Sequence, residues 1–184
     1  MHELNLEQRD IGAIMGAAMG TVSDVLNISL LPWHPRYLLR TYTDALLPSQ
    51  PDARYTAVRT ALGTTFALGP GEHLYLPDES ASGQLAALAK PDIFVIDVSS
   101  AQLVMRVAGS RACELLASGC GVDLRPARFA VGHFAQTRLG PFAVLIHRAS
   151  ESAYDVHGER SLLESMRTWL DLSASALTGN TLSP

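Results

Sequence analysis

The chain has 184 residues, of which 47% are hydrophobic and 17% are charged, and its formal net charge is −4. This length fits one domain of roughly 150 residues with a short extension, and the apolar content excludes a disordered chain. The basic residues form no run, which argues against binding to nucleic acid or to an anionic membrane, because both need clustered positive charge.

The first third of the chain is predicted to begin with a helix and continue in strands. Apolar residues at spacings of three and four predict a helix over residues 6–26. Residues 36–43 follow a proline-bounded bend and read as a strand, and residues 48–52 form a loop. Residues 54–68 contain two β-prone runs that are broken at Gly63.

A hairpin is predicted next, because the Gly-Pro-Gly turn at residues 69–71 separates the β-prone runs 65–68 and 73–76. The turn is no phosphate-binding loop, since a strand follows it rather than a helix. A short helix is expected over residues 80–90, and residues 93–98 form an apolar strand.

The second half alternates strands with two helices. A strand over residues 103–108 leads to a helix that Gly109-Ser110 can cap and that Gly119 ends in the left-handed conformation. The last helix follows the capping-box pattern of Ser161 and Glu164 and stops near Gly179. Between the two helices we expect strands over residues 133–139, 142–148 and 153–157.

Runs of adjacent strands interrupted by single helices indicate an α+β fold with a largely antiparallel sheet. We expect an N-terminal helical extension over residues 1–27 and one domain over residues 28–184. Cys113 and Cys120 are too few for a disulfide framework or a four-ligand zinc site and fit a reducing compartment. The N-terminus lacks the basic region of a secretory signal. We therefore expect a soluble, cytoplasmic protein.

Few residues are candidates for chemistry. His147 and His157 are placed to face each other across a hairpin, but a metal site needs further ligands. Cys120 follows a helix C-terminus, and this end of the helix dipole disfavours a thiolate. Asp97 and Asp123 follow hydrophobic stretches and fit turn caps better than general bases. No catalytic, cofactor-binding or metal-binding residue is assigned.

Several motifs, in a fixed order and spacing, resemble the gamma subunit family of heterotetrameric sarcosine oxidase. The central ones are Asp97-Val98-Ser99, Gly109-Ser110-Arg111-Ala112 and the stretch Leu115-Leu116-Ala117-Ser118-Gly119-Cys120-Gly121-Val122-Asp123-Leu124. The likeness extends over residues 62–176. Two departures are residues 1–27, which have no counterpart, and Ser118, where the family often has Lys or Arg.

This resemblance implies a fold like the folate-binding domain of glycine-cleavage aminomethyltransferases, without a cofactor in this chain. It implies three partners, namely an alpha subunit that binds NAD and folate, a flavin-bearing beta subunit and a zinc-binding delta subunit. FAD, FMN, NAD, tetrahydrofolate and zinc are then expected in the partners. The chain itself is expected to be a non-catalytic structural subunit of an oxidase or dehydrogenase for sarcosine or related secondary amines.

Two alternatives remain. The first is a stand-alone folate-binding one-carbon enzyme or the related iron–sulfur maintenance factor. The motif Lys-Gly-Cys-Tyr-x-Gly-Gln-Glu of that factor survives here only as Gly119-Cys120. The second is a small hydrolase that uses Cys120 with His133 or His147.

Overall fold

A computed structural model describes residues 25–42, 55–78 and 92–179. The strands are β1 Asn27–Leu30, β2 Tyr37–Thr41, β3 Val58–Thr60, β4 Gly63–Gly69, β5 Glu72–Pro77, β6 Ile93–Asp97, β7 Gln102–Ala108, β8 Phe134–Leu139, β9 Phe142–Arg148 and β10 Ala153–Glu159. The helices are α1 Ala112–Ala117 and α2 Leu163–Thr178, and a 3-10 turn at Arg160–Leu162 precedes α2. The predicted loop 48–52, the helix 80–90 and residues 6–24 of the first helix lie outside the described ranges.

The strands form two five-stranded sheets in which every described pairing is antiparallel. The first sheet has the order β1-β7-β10-β9-β8, and the second has the order β3-β4-β5-β2-β6. The chain passes from the first sheet to the second between β1 and β2 and returns between β6 and β7. The expected α+β class with largely antiparallel sheets is confirmed.

One face of the first sheet packs against both helices. The period of two along the strands and of three to four along the helices places the apolar side chains in this layer. Its buried members include Leu103, Met105 and Val107 of β7, Tyr154 and Val156 of β10, Ile146 of β9, Leu115 and Leu116 of α1, and Met166 and Leu170 of α2. Among the described residues, no helix is long and apolar enough to cross a membrane.

The opposite face of the first sheet packs against the second sheet, so the layers run helices, first sheet, second sheet. Phe66 of β4 is the central apolar side chain of this contact, and its ring meets that of Phe134 edge-to-face at a centroid distance of 5.2 Å. Leu74 of β5 and Leu145 of β9 are buried beside it. This second core is smaller than the helix-side core, and polar residues share it.

The strands from β4 onward agree with the predictions, including the hairpin of β4 with β5 and that of β8 with β9. The predicted helix over residues 6–26 does not extend to its expected end. Val25 lies in a turn and Leu26 in a bridge, and Asn27 already pairs with Ala108. The physical reason is that the edge of β7 binds this segment as a strand, and Arg111 N–H donates to the Val25 carbonyl at 3.0 Å.

The predicted helix caps did not form. Arg111, not Ser110, is the N-cap residue of α1, and it makes no side-chain capping hydrogen bond. Leu162 is the N-cap residue of α2, while Ser161 lies in the 3-10 turn and donates to the carboxylate of Glu159 at 3.4 Å. The C-terminal end of α2 was predicted correctly, because Gly179 adopts the left-handed conformation there with φ of 71°.

Gly119 does not end α1 in the left-handed conformation, because the C-cap residue is Ser118 and Gly119 has no positive φ. Its role is close approach, since the ring of Trp169 in α2 occupies the space that a Cβ on Gly119 would need. Gly140, in the turn between β8 and β9, is constrained twice. It has φ of +56°, and a Cβ there would lie 2.8 Å from Trp169 Cε2.

We expect the substitution Gly140→Ala to lower the free energy of unfolding by about 1–3 kcal/mol, because it combines a strained backbone with a steric clash. Urea denaturation of the full chain measures this loss. Gly121→Ala is the matched control, since a Cβ at Gly121 meets nothing within 4 Å. Equal stabilities of the two variants would contradict the role of Trp169 packing.

Candidate functional site

A group of polar residues lies between the two sheets, and we call Arg36, Arg106, His147, Asp155 and His157 the inter-sheet cluster. Asp155 of β10 pairs with Arg106 of β7 on one side and with His147 of β9 on the other. The Arg106 guanidinium donates two hydrogen bonds to the Asp155 carboxylate, Nε to Oδ1 at 2.7 Å and Nη2 to Oδ2 at 2.9 Å. This hydrogen bonding raises the pKa of Arg106.

The two histidines of the cluster lie on the same sheet face but not opposite each other. His147 pairs with Asp155, and His157 pairs with Leu145, so the histidines are diagonal neighbours. Both rings contact Phe66, at centroid distances of 5.1 Å for His147 and 5.4 Å for His157. Within the described ranges, no group of three His, Cys, Asp or Glu side chains is arranged to hold a metal ion.

Burial lowers the pKa of both histidines. His157 is 5% exposed, and its ring nitrogens have no hydrogen-bond partner among the described residues. Desolvation lowers the pKa of His157 to about 3, with smaller contributions from the positive charge of Arg36 and from His147. Desolvation also lowers the pKa of His147, although the nearby Asp155 carboxylate acts in the opposite direction.

Arg36 fixes the place where the chain crosses between the sheets. Its buried guanidinium donates from Nη1 to the carbonyl of Gln102 at 3.1 Å. Its backbone N–H donates to Ser99 Oγ at 2.9 Å, and the Ser99 hydroxyl donates to the Arg36 carbonyl at 3.2 Å. Burial lowers the pKa of Arg36. These contacts join the segment before β2 to the segment before β7.

The cysteine and histidine candidates of the hydrolase hypothesis do not meet. Cys120 is half-buried against the helix-side core, with Sγ 3.7 Å from Thr137 Oγ1 and its backbone bridged to Leu139. His147 points to the other face of the same sheet, toward Phe66. His133 lies at the far end of β8 from Leu139, roughly 20 Å along the strand. Neither histidine is placed to activate the thiol.

The two aspartates act as turn caps, as predicted. Asp97 Oδ1 accepts a hydrogen bond from the backbone N–H of Ser99 at 2.8 Å. Asp123 accepts from the backbone N–H of Arg125 at 3.2 Å and from its guanidinium at 2.8 and 2.6 Å. These hydrogen bonds, the side-chain ones above all, lower the pKa of Asp123 to about 2. Both carboxylates thus fix the local backbone of their turns.

The surface feature that sequence reasoning missed is the exposure of β6. This strand was predicted from its apolar run, but it is the edge strand of the second sheet. Phe94 is 53% exposed and Ile96 is 42% exposed. Tyr42, which follows β2 and is 88% exposed, contacts Phe94 edge-to-face at a centroid distance of 6.1 Å. Phe94 pairs with the exposed Arg40 of β2. The apolar run of β6 did not indicate this exposure, because such a run fits a buried strand as well as an edge strand.

Similar solved structures define the class of fold. The chain matches heterotetrameric sarcosine oxidase from Corynebacterium sp. U-96, in complex with pyrrole 2-carboxylate, with a TM-score of 0.73, 21% identity and coverage of 95% of both chains. It also matches the glycine cleavage system aminomethyltransferase T from Bartonella henselae, with a TM-score of 0.58, 11% identity, and coverage of 89% of this chain and 55% of that chain. The fold is therefore an aminomethyltransferase-like α+β domain. Comparison with curated protein sequences gave no match.

The family follows from the sequence of the second half. The model of the sarcosine oxidase gamma subunit family matches residues 68–176, which is more than half of the chain. This chain belongs to the sarcosine oxidase gamma subunit family. The resemblance that the motifs around Gly109 and Gly119 indicated is thereby confirmed.

We expect Asp155→Asn to lower the free energy of unfolding by about 1–3 kcal/mol, because it leaves the partly buried Arg106 guanidinium without its counter-charge. Denaturant titration at neutral pH measures this loss. Asp78→Asn is the matched control, since Asp78 accepts two hydrogen bonds from the exposed Arg59 at 3.0 and 3.2 Å. That surface pair contributes at most about 1 kcal/mol. Equal losses of unfolding free energy in the two variants would show that the Arg106–Asp155 pair contributes no more to stability than the surface pair.

We also expect stability to fall in acid through His157. The pKa of His157 is about 3 in the folded chain, whereas the ordinary value of 6.5 applies in the unfolded chain. The unfolded chain therefore binds more protons between these values, so this stability is complete above pH 6.5 and is lost as the pH falls toward 3.

His157→Gln, which stays neutral, should reduce the stability lost between pH 7 and pH 5 by about 2 kcal/mol, since one proton contributes about 1.4 kcal/mol per pH unit. Urea unfolding of both proteins at the two pH values gives the difference. An unchanged pH dependence in the variant would contradict a buried neutral His157.

Proposed function

We propose that this chain is a structural gamma subunit of a heterotetrameric, flavin-dependent amine oxidase or dehydrogenase and that it contributes no reacting group. The observation that carries the proposal is the family match over residues 68–176. The likeness of the whole fold to a chain of a heterotetrameric sarcosine oxidase supports it. The substrate class would be sarcosine or a related secondary amine.

The burial of the polar side chains supports a non-catalytic role. His157, Arg36 and Asp155 are all less than a tenth exposed. A catalytic acid or base has to reach its substrate within hydrogen-bond distance. The charge and the histidines of the inter-sheet cluster thus stabilise the contact of the two sheets and leave the reaction to other chains.

The partners in this proposal are an alpha subunit that binds NAD and tetrahydrofolate, a beta subunit that carries FAD and FMN, and a zinc-binding delta subunit. These cofactors would lie in the partners and not in this chain. The division into an N-terminal extension over residues 1–27 and one domain from residue 28 belongs to the same proposal, as does a cytoplasmic location.

A tagged full-length chain, purified gently from its own host, tests the proposal. We expect native mass spectrometry to show the chain together with larger flavin-bearing chains in equal amounts, and the complex to oxidise a secondary amine. The chain purified alone should have no flavin absorbance and no such activity. The same tag on an unrelated protein of that host controls for adventitious capture.

Two results would contradict the proposal. Turnover of an amine by the isolated chain would place the reaction in this chain. Binding of tetrahydrofolate by the isolated chain at micromolar concentration, without any co-purifying subunit, would favour the stand-alone folate-binding alternative. Fluorescence titration with tetrahydrofolate separates that alternative from the structural role.

A further inference from the structure

Within the described ranges, the edge strand β6 differs from an ordinary exposed strand because it is both unpaired on its outer side and apolar. No strand of the described ranges pairs with its outer edge. The strand has five residues, and all except the last, Asp97, are apolar. An open edge presents unpaired backbone N–H and C=O groups, and proteins normally protect such edges with charges, short strands or covering segments. Within β6, Asp97 at the end of the strand is the one charged residue.

Two of the other sheet edges are protected in this way. β3 is three residues long and carries Arg59, which is paired with Asp78. β8 is bridged just before its start and at its end, through Thr56 with His133 and Cys120 with Leu139. The edge of β6 differs from these two edges in lacking such protection within the described residues.

The exposed side chains beside this edge form one face, which we call the β6 patch and define as Tyr42, Phe94 and Ile96. Phe94 pairs with Arg40, and Ile96 pairs with Leu38, so both point to the same side of the second sheet. On this side the inner strands pack against the first sheet through Phe66, as described above. The patch thus continues the inter-sheet contact beyond the part that the first sheet covers.

The charges around the patch indicate the chemistry of its partner. Asp92 precedes β6, Asp97 ends it, and both are exposed. The positive charge of Arg40 is already paired with Glu72 at 3.4 Å. The strand therefore offers an apolar centre between two negative ends, which an extended apolar segment with Lys or Arg at its ends would complement.

We propose that β6 and the β6 patch bind an extended segment of a sister subunit of the oxidase, which adds to the second sheet as a further strand. This inference rests on the proposed function, because the partner is a chain of the same complex. Main-chain hydrogen bonds along the open edge would supply affinity, and alternate side chains would pack on Phe94 and Ile96. Exposed aromatic residues are frequent anchors at such interfaces.

The test compares variants of the tagged full chain purified from its host. Phe94→Asp should lower the amount of co-purified sister subunits at least about tenfold, because it places a charge among apolar contacts. Leu172→Asp is the matched control, since Leu172 of α2 is 54% exposed, and we expect it to retain the full complex. Circular dichroism and thermal unfolding of each purified variant should match the wild type, since both side chains are exposed.

A second arm identifies the occupant. A photo-crosslinking residue in place of Ile96 should link this chain to a peptide of a flavin- or folate-binding subunit, and that peptide should hold an apolar run with basic ends. Asp92→Lys should weaken the complex and make its dissociation less dependent on salt.

The outcomes separate the two proposals. If the wild type forms the complex and Phe94→Asp forms it equally well, the docking site is overturned while the proposed function stands. If the wild type captures no subunit, both are overturned. If the crosslink joins two copies of this chain, and the wild type is a dimer that Phe94→Asp dissociates, the occupant is a second copy and the proposal of a sister subunit is wrong.

Discussion

The packing of two antiparallel sheets around Phe66 is the contact on which the rest of the structure depends. The ring of Phe66 comes from the second sheet and lies among Phe134, His147 and His157 of the first. Polar groups lie beside this contact, and their burial is costly unless hydrogen bonds compensate it. Asp155 pairs with Arg106, the Arg36 guanidinium donates to the Gln102 carbonyl, and burial lowers the pKa of both histidines.

This contact also accounts for where the polar side chains of the first sheet lie. His147, His157 and Asp155 are committed to the sheet contact, and Cys120 lies on the other side of the first sheet. The same arrangement leaves β6 beyond the covered part of the second sheet. In the described part of the chain, the buried contact of the two sheets thus lies beside an apolar edge strand with exposed aromatic side chains.

The sequence predicted those parts of the fold that depend on neighbouring residues. Strand alternation and the turn at Gly140 identified β8 and β9, and the glycine after α2 marked its end. The helix caps failed, because Ser110 offered a local hydrogen bond while the tertiary contact of Arg111 with Val25 determined the backbone there. The family was recognisable from the order and spacing of its motifs.

The inter-sheet cluster and the exposure of β6 depend on long-range contacts and were not predictable from local patterns. Arg36 and Ser99 exchange two hydrogen bonds across 63 positions of the chain, and no periodicity links them. An apolar strand such as β6 is equally compatible with a buried centre and an open edge, since burial depends on which strand lies next to it. His147 and His157 were recognised as neighbours, but their diagonal register required the observed pairing.

The two tryptophans of the chain occupy contrasting positions, so tryptophan fluorescence reports on the packing over Gly119 and Gly140. Trp33, in the link between β1 and β2, is 55% exposed, whereas Trp169 lies against the two glycines. An indole in apolar surroundings emits at shorter wavelength than an indole in water. Small solutes dissolved in the water quench the exposed indole more readily. Iodide should therefore quench the long-wavelength part of the emission first, and the remaining blue component should report whether α2 is seated on the first sheet.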